Sequence, residues 1–245
     1  MIDIHSHILP GLDDGSKSWE MTLKMCRMAM QDGITHMVAT PHANDVYTYS
    51  RDRARELVVE LAEKVGDQLA FSIGCDFHLS FENIGDAIAH PRRYTIAAKQ
   101  YLLVEFSDYG IAPQIGDSLA RLQSAGMVPI ITHPERNAIL QRRLEMVLEW
   151  VDGGCLVQVT ASAVTGAWGV AAQRVALWLL EKEAVHVLAS DAHDDKNREP
   201  NLSKARDAVA QRFGTHLAHA LVAKNPAAIV AGRALNVSEQ KSRPA

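Results

Sequence analysis

Three side chains near the start of the chain could act together. His5 and His7 stand two apart in the apolar stretch Met1-Ile2-Asp3-Ile4-His5-Ser6-His7. On a β-strand, residues i and i+2 leave the same face, so the imidazoles would project together, with Asp3 on that face able to orient one of them. Alone, this pair reads equally well as two solvated histidines on an edge strand. The pattern repeats, however. His42 follows Val38-Ala39-Thr40-Pro41, Asp76 follows Phe71-Ser72-Ile73-Gly74, and Glu105 follows Tyr101-Leu102-Leu103-Val104. His133 follows Ile130-Ile131-Thr132, and Asp191 and His193 follow Val187-Leu188-Ala189-Ser190. Strand ends are wet and commonly polar. Imidazoles and carboxylates at nearly every one, with no lysine among them, point instead to bound divalent cations, and mixed ligation of this kind suits Mn, Fe or Zn.

The elements that must carry these residues are short apolar runs alternating with amphipathic stretches. Strands are expected over Met1–His7, Ile34–Thr40, Leu69–Phe77, Tyr101–Phe106, Val128–Thr132, Cys155–Thr160 and Val185–Ser190. In the first intervening helix Met21, Met25, Met28 and Ala29 share one face, with Ser16 or Ser18 as cap and Gly33 as terminator. Further helices are expected over about 51–65, 113–125, 141–152, 170–183, 202–213 and 215–223. Repeated β–α units imply a parallel sheet with right-handed crossovers. Polar residues at the C-terminal ends of many different strands favour a closed or nearly closed α/β barrel over an open sheet. The 245 residues fit one such domain over 1–235, followed by a polar tail, 236–245.

Bulk properties exclude several classes. The hydrophobic fraction is 47%, the charged fraction 22% and the net charge −4, so neither a nucleic-acid footprint nor membrane insertion is expected. The cysteines, Cys26, Cys75 and Cys155, are too scattered for a disulfide framework and read as buried free thiols, with the cytoplasm as the expected location. His36, His90, His186, His216 and His219 fall outside the strand-end pattern and read as structural or surface residues. Trp19, Trp150, Trp168 and Trp178 read as core or interface. Tyr47 and Tyr49 could stack on an aromatic substrate or simply pack. Asp194 and Asp195 could donate a proton or be ordinary loop aspartates.

The strings DIHSHILPGLDDGS at the start, GITHMVATPHAN at 33–44, YLLVEF at 101–106, PIITHPERN at 129–137 and LASDAH at 188–193 span nearly the whole chain. On these motifs the chain resembles the PHP (polymerase and histidinol phosphatase) superfamily, and within it the CpsB/CapC-type capsule-biosynthesis protein-tyrosine phosphatases. The resemblance implies a distorted (β/α)7 TIM-like barrel and two or three divalent ions, manganese foremost. It implies one ion on His5, His7, Asp76 and Asp191, a second on Asp76, Glu105 and His133, and a third on Asp14, His42 and His193. Arg136 of the HPER string, and more weakly Arg198, would contact phosphate. A hydroxide held between ions would attack phosphorus in line. The implied partner is a phosphotyrosyl protein, a bacterial tyrosine kinase of polysaccharide export. Two positions depart from the family pattern. Asp76 stands where a glutamate is usual, and His78 stands where an arginine is usual. His78 either joins the site or is a rim residue without a role. The rival readings are a small-molecule phosphatase of the same superfamily acting on histidinol phosphate or a nucleotide, an amidohydrolase, and a non-catalytic binding protein. Against the amidohydrolase, Glu105 occupies the strand end where many of those barrels carry a modified lysine.

Overall fold

The computed structural model describes residues 1–235; the expected tail, 236–245, lies outside the described residues. Nine strands form the wall: β1 (Ile2–Ser6), β2 (His36–Ala39), β3 (His42–Ala43), β4 (Ala70–Ile73), β5 (Asp76–His78), β6 (Tyr101–Glu105), β7 (Val128–Thr132), β8 (Leu156–Thr160) and β9 (Val187–Ala189). All pair in parallel, in the orders β1-β2-β4 and β3-β5-β6-β7-β8-β9. The two ladders are one wall, because β2 and β3 are halves of a single stave, as are β4 and β5. The bonds Gly74 N–H to Ala39 O (2.9 Å) and Asp76 N–H to Pro41 O (3.2 Å) carry the pairing across both interruptions.

Local chemistry explains where the staves break. Pro41 has no N–H with which to continue a ladder. At Gly74 a Cβ would lie 3.1–3.3 Å from the side chains of Ile96, Thr40 and Val38, so only glycine fits comfortably. With both pairs joined there are seven staves, matching the seven apolar runs of the sequence. The ring closes where Ser6 bridges Ala192, through His7 N–H to Ala192 O (2.8 Å) and Asp191 N–H to His5 O (2.9 Å).

Inside the barrel, away from the strand ends, Ile4, Val38, Leu103, Ile130, Leu156 and Val187 form a buried apolar layer that also includes Ile96 and Ile229. The outer strand faces pack against the helices in a second, larger cluster. In the helix Trp19–Gln31, Met25, Cys26 and Ala29 are buried, and Ser18 supplies the cap by accepting from Met21 N–H. The helices Arg51–Val65, Ile115–Ser124, Leu144–Asp152, Gly169–Glu181, Ser203–Phe213 and Thr215–His219 lie close to the expected spans. Phe81–Ala89, capped by Ser80, forms a helix where the periodicity predicts none, and the last helical stretch runs on through Asn225–Ala231. Cys26, Cys75 and Cys155 are buried free thiols. Among the described residues no helix is long and apolar enough to cross a membrane.

Candidate metal centre

At the C-terminal end of the staves, three imidazoles are fixed by their Nδ1 atoms. His5 Nδ1 lies 2.9 Å from Gln158 Oε1, His7 Nδ1 lies 2.7 Å from Asp13 Oδ2, and His193 Nδ1 lies 3.0 Å from the Asp191 carbonyl. These oxygens only accept, so each Nδ1 carries the proton and each Nε2 is left with a free lone pair. Holding a histidine through its second nitrogen is the usual arrangement behind a metal ligand. Asp3 does not take this role. The register of β1 shifts between Asp3 and Ser6, and Asp3 accepts instead from Ser190 N–H (3.0 Å) and Ser190 Oγ (2.5 Å).

The loop after β1 brings up further carboxylates. Gly15 packs so closely on His7 that a Cβ there would sit 2.2 Å from the His7 carbonyl oxygen. Ser16 N–H donates to that same carbonyl (3.0 Å), folding the loop back over the strand. Asp13 thereby reaches His7. Asp14 Oδ1 reaches His42 Nε2 (3.3 Å) and His193 Nε2 (3.5 Å).

The donor atoms form adjoining groups: His7, Asp14, His42 and His193; His5, His7 and Asp76; His5, His133 and Asp191; and His42, Asp76 and Glu105. His5 Nε2 lies 3.3 Å from His7 Nε2, 3.4 Å from Asp76 Oδ2 and 3.3 Å from Asp191 Oδ1. His42 Nδ1 lies 3.2 Å from Asp76 Oδ2 and 3.6 Å from Glu105 Oε2, and His133 Nε2 lies 3.7 Å from Glu105 Oε1. Two ligands bound at roughly 2.1 Å to one ion lie about 3.0–3.4 Å apart, so most of these separations suit a shared cation. Both oxygens of the buried Asp76 and Nδ1 of His42 lack a hydrogen bond of sound geometry. Buried polar atoms of this kind are normally satisfied, and cations would satisfy them here. The residues therefore fit divalent ions.

The electrostatics agree. Burial opposes charge on His42, but Asp14 and Asp76 outweigh it and push its imidazole up to about 11. Burial likewise opposes charge on His5, yet Asp191 and Asp76 hold it at about 9. Asp76 and Asp191 are kept well below the carboxylate range despite burial, by His5 and, for Asp191, by His7, Arg136 and Arg198 as well. Burial and then Arg136 lower His133 to about 3, and burial and then His7 lower His193 to about 4, so both are neutral donors. Without cations the carboxylates thus draw a second proton onto His5 and His42, which a bound ion would displace to free the ligating nitrogen, whereas His133 and His193 are neutral already. Two of its residues also have left-handed backbone, His133 (φ 34°) and Asp191 (φ 51°). Non-glycine residues adopt that region at a cost and often at functional sites.

Both candidate phosphate-binding arginines pair with one carboxylate oxygen. Arg136 Nη1 and Arg198 Nη2 meet Asp191 Oδ2, the latter at 2.5 Å, while the other oxygen faces His5 and His7. Next to them opens a cavity of about 260 Å3 whose lining includes Glu105, His133, Arg136, Phe106 and Trp168.

The family model for capsular polysaccharide synthesis proteins, CpsB/CapC, matches residues 1–231. The chain belongs to the CpsB/CapC family. Among curated relatives, the tyrosine-protein phosphatase CpsB of Streptococcus pneumoniae is 30% identical, over 94% of this chain and 98% of its own length. The tyrosine-protein phosphatase YwqE of Bacillus subtilis is 30% identical, over 90% and 88%. A crystal structure from work on YwqE and CpsB, described as unique metal-dependent tyrosine phosphatases, superposes with a TM-score of 0.87 at 28% identity, covering 96% of both chains. The phosphotriesterase homology protein of Escherichia coli, at 11% identity and a TM-score of 0.63, shares the fold.

For this member of the CpsB/CapC family, the structure brings together every strand-end residue singled out in the sequence, together with Asp14, Arg136 and Arg198. It divides two expected sets: Asp76 groups with His5 and His7 and also with His42 and Glu105, whereas His133 and Asp191 group together with His5. His78 Nδ1 stands 3.9 Å from Glu105, which raises its pKa against partial burial, so His78 extends the rim of the cluster. Asp194 Oδ1 accepts from the amides of Lys196, Asn197 and Arg198, and Asp195 pairs with Lys24 at 2.6 Å, so both aspartates serve the loop. Tyr49 is buried with its hydroxyl on Gly74 O, while the Tyr47 ring lies nearly parallel to His42. Three residues were missed. Asp13 is hidden beside Asp14 in a pair of identical residues. Gln158 is an amide inside an apolar strand, a signal that could have been read. Trp168 looked like packing, but its ring lies 3.8 Å from the Arg136 guanidinium and 5.5 Å from that of Arg198.

Proposed function

We propose that the chain is a metal-dependent protein-tyrosine phosphatase of capsule or exopolysaccharide synthesis. The observation that carries this reading is the convergence of nine imidazole and carboxylate donors beside two arginines, on the catalytic end of a CpsB/CapC barrel. His5, His7, Asp76 and Asp191 would hold one ion, Glu105 and His133 with Asp76 a second, and Asp14, His42 and His193 a third, with manganese the expected metal and iron or zinc the alternatives. Such ions, when bound, supply Lewis acidity and bring the pKa of water down to about 7. Gln158 and Asp13 keep His5 and His7 in the tautomer that presents Nε2 inward. Arg136 and Arg198 offer planar forks suited to phosphate oxygens, and the carboxylate they share keeps both aimed at one point. A tyrosine leaving group has a pKa near about 10, so departure needs less help from a general acid than an alkyl alcohol would. This accords with Asp194 and Asp195 being engaged in the loop. The partner is a phosphotyrosyl protein, a bacterial tyrosine kinase of polysaccharide export.

The test is a turnover screen of chelator-stripped protein reloaded with Mn, Fe or Zn, offered phosphotyrosyl peptide, phosphoseryl peptide and histidinol phosphate. The expected result is metal-dependent turnover with the phosphotyrosyl peptide preferred. A preference for histidinol phosphate would move the activity to small molecules. No turnover with any fully loaded form would sink the reading.

A further inference from the structure

The cavity of about 260 Å3 beside the donor cluster has a mixed lining. It includes the polar Glu105, His133 and Arg136 and the apolar Phe106, Leu140 and Trp168. A cavity of about 150 Å3 accepts benzene, so this one has room for a phenyl ring and part of its attachment. Trp168 links the two kinds of residue. Its ring stacks on Arg136 at 3.8 Å, and its Nε1 donates to Ser162 Oγ at 2.8 Å, which fixes the plane of the indole. The turn that presents it ends at Gly169 (φ 83°), a backbone conformation that favours glycine. Trp168 is 38% exposed although it is one of the largest apolar side chains in the chain. The energy of burying it has been forgone at the mouth of the cavity. Its neighbour Val170 is 82% exposed, so this segment keeps an apolar face toward solvent.

We infer that Trp168 is the residue that makes this site selective for aryl phosphates, by forming the wall against which the aromatic leaving group packs while it steadies Arg136. The inference rests on the phosphatase reading above and adds the determinant of its substrate class. Offset or edge-on packing of an aryl ring against the indole would favour a phenyl over an alkyl group by up to about tenfold, and stacking on Arg136 would hold the guanidinium in the orientation phosphate requires. The two roles separate experimentally. Losing the wall penalises aryl ligands alone, whereas losing the arginine support penalises every phosphate equally.

The experiment measures binding of phenylphosphonate and methylphosphonate to manganese-loaded protein by calorimetry, beside KM and kcat for phosphotyrosyl and phosphoseryl peptides. Wild type, Trp168→Ala, Trp168→Phe and the cavity-filling Ala171→Leu are compared. The wild type is expected to prefer phenylphosphonate about tenfold, Trp168→Ala to abolish that preference and raise KM for the phosphotyrosyl peptide by a similar factor, and Trp168→Phe to restore most of both. Ala171→Leu should weaken phenyl binding without changing methyl binding. A wild type without phenyl preference, or a Trp168→Ala loss equal for both phosphonates, would overturn the inference. An intact phenyl preference in a protein that hydrolyses neither peptide would overturn the phosphatase reading and leave the aryl wall standing.

Discussion

On β6, Leu103 and Glu105 leave the same face of one strand, yet their surroundings are opposite. Leu103 is fully buried in an apolar layer with Ile130, Leu156 and Val187. Glu105 is partly open and faces His42, His78 and His133. β9 makes the same change between Val187 and Asp191, just beyond its end. One end of the barrel therefore gains free energy by removing apolar surface from water, on the order of 1.5–3 kcal/mol per large side chain. The other gathers carboxylates whose burial is unfavourable without cations nearby. Stability is therefore expected to come mainly from the first end and chemistry from the second, so that each could change with little effect on the other.

The sharpest way to break that comparison is at the polar end. His133→Ala is expected to lower turnover of the metal-loaded protein at least about 1,000-fold, since losing a ligand exceeds the 10–100-fold cost of losing an outer partner, while the urea midpoint of the metal-free protein hardly moves. An unchanged rate would show that His133 holds no ion. At the apolar end, Leu103→Ala should cost about 3 kcal/mol in denaturant unfolding and leave kcat per folded molecule unaltered. A lost kcat would mean that the two ends are coupled.

A third expectation concerns pH. His186 is buried, and its Nδ1 accepts from Val157 N–H; burial lowers its pKa to about 4, below the unfolded value of about 6.5. The unfolded chain therefore binds the proton more readily, and this contribution is whole above about pH 6.5 and lost as pH falls toward 4. From pH 7 to 5 the loss is about 2 kcal/mol, measurable as a urea-midpoint shift that His186→Gln should largely remove. Equal pH dependence in the two proteins would contradict it. The smallest effect belongs to Gln158→Ala, which frees the His5 ring. Because the lost partner is a neutral amide, a drop of about tenfold in turnover or manganese affinity is expected. A titration matching wild type would show that His5 needs no such support.

Much of this division was legible in the sequence. Every stave but β8 is an apolar run that stops at an imidazole or carboxylate, so strand positions and site residues are mostly marked by the same transition. The helix Phe81–Ala89 was not legible, because Gly85 weakens its propensity and it follows the strand after a very short turn. Asp3 was misjudged because strict alternation takes no account of the register shift in β1. Trp168 was opaque for another reason: an exposed tryptophan and a packed one look alike until the guanidinium beneath it is located.

The closure of the ring has a mechanical consequence. β1 and the segment after β9 meet through the backbone bonds at His7 and Asp191, beside the donors His5, His7, Asp191 and His193. Ions gripped by these residues would draw ligands from both lips of the seam and act as a clasp across it. Stripping them should then do more than silence the enzyme. Amide hydrogens at this junction should exchange faster with solvent while those of the apolar layer stay protected, as in a hoop whose buckle has been undone but whose slats remain in place.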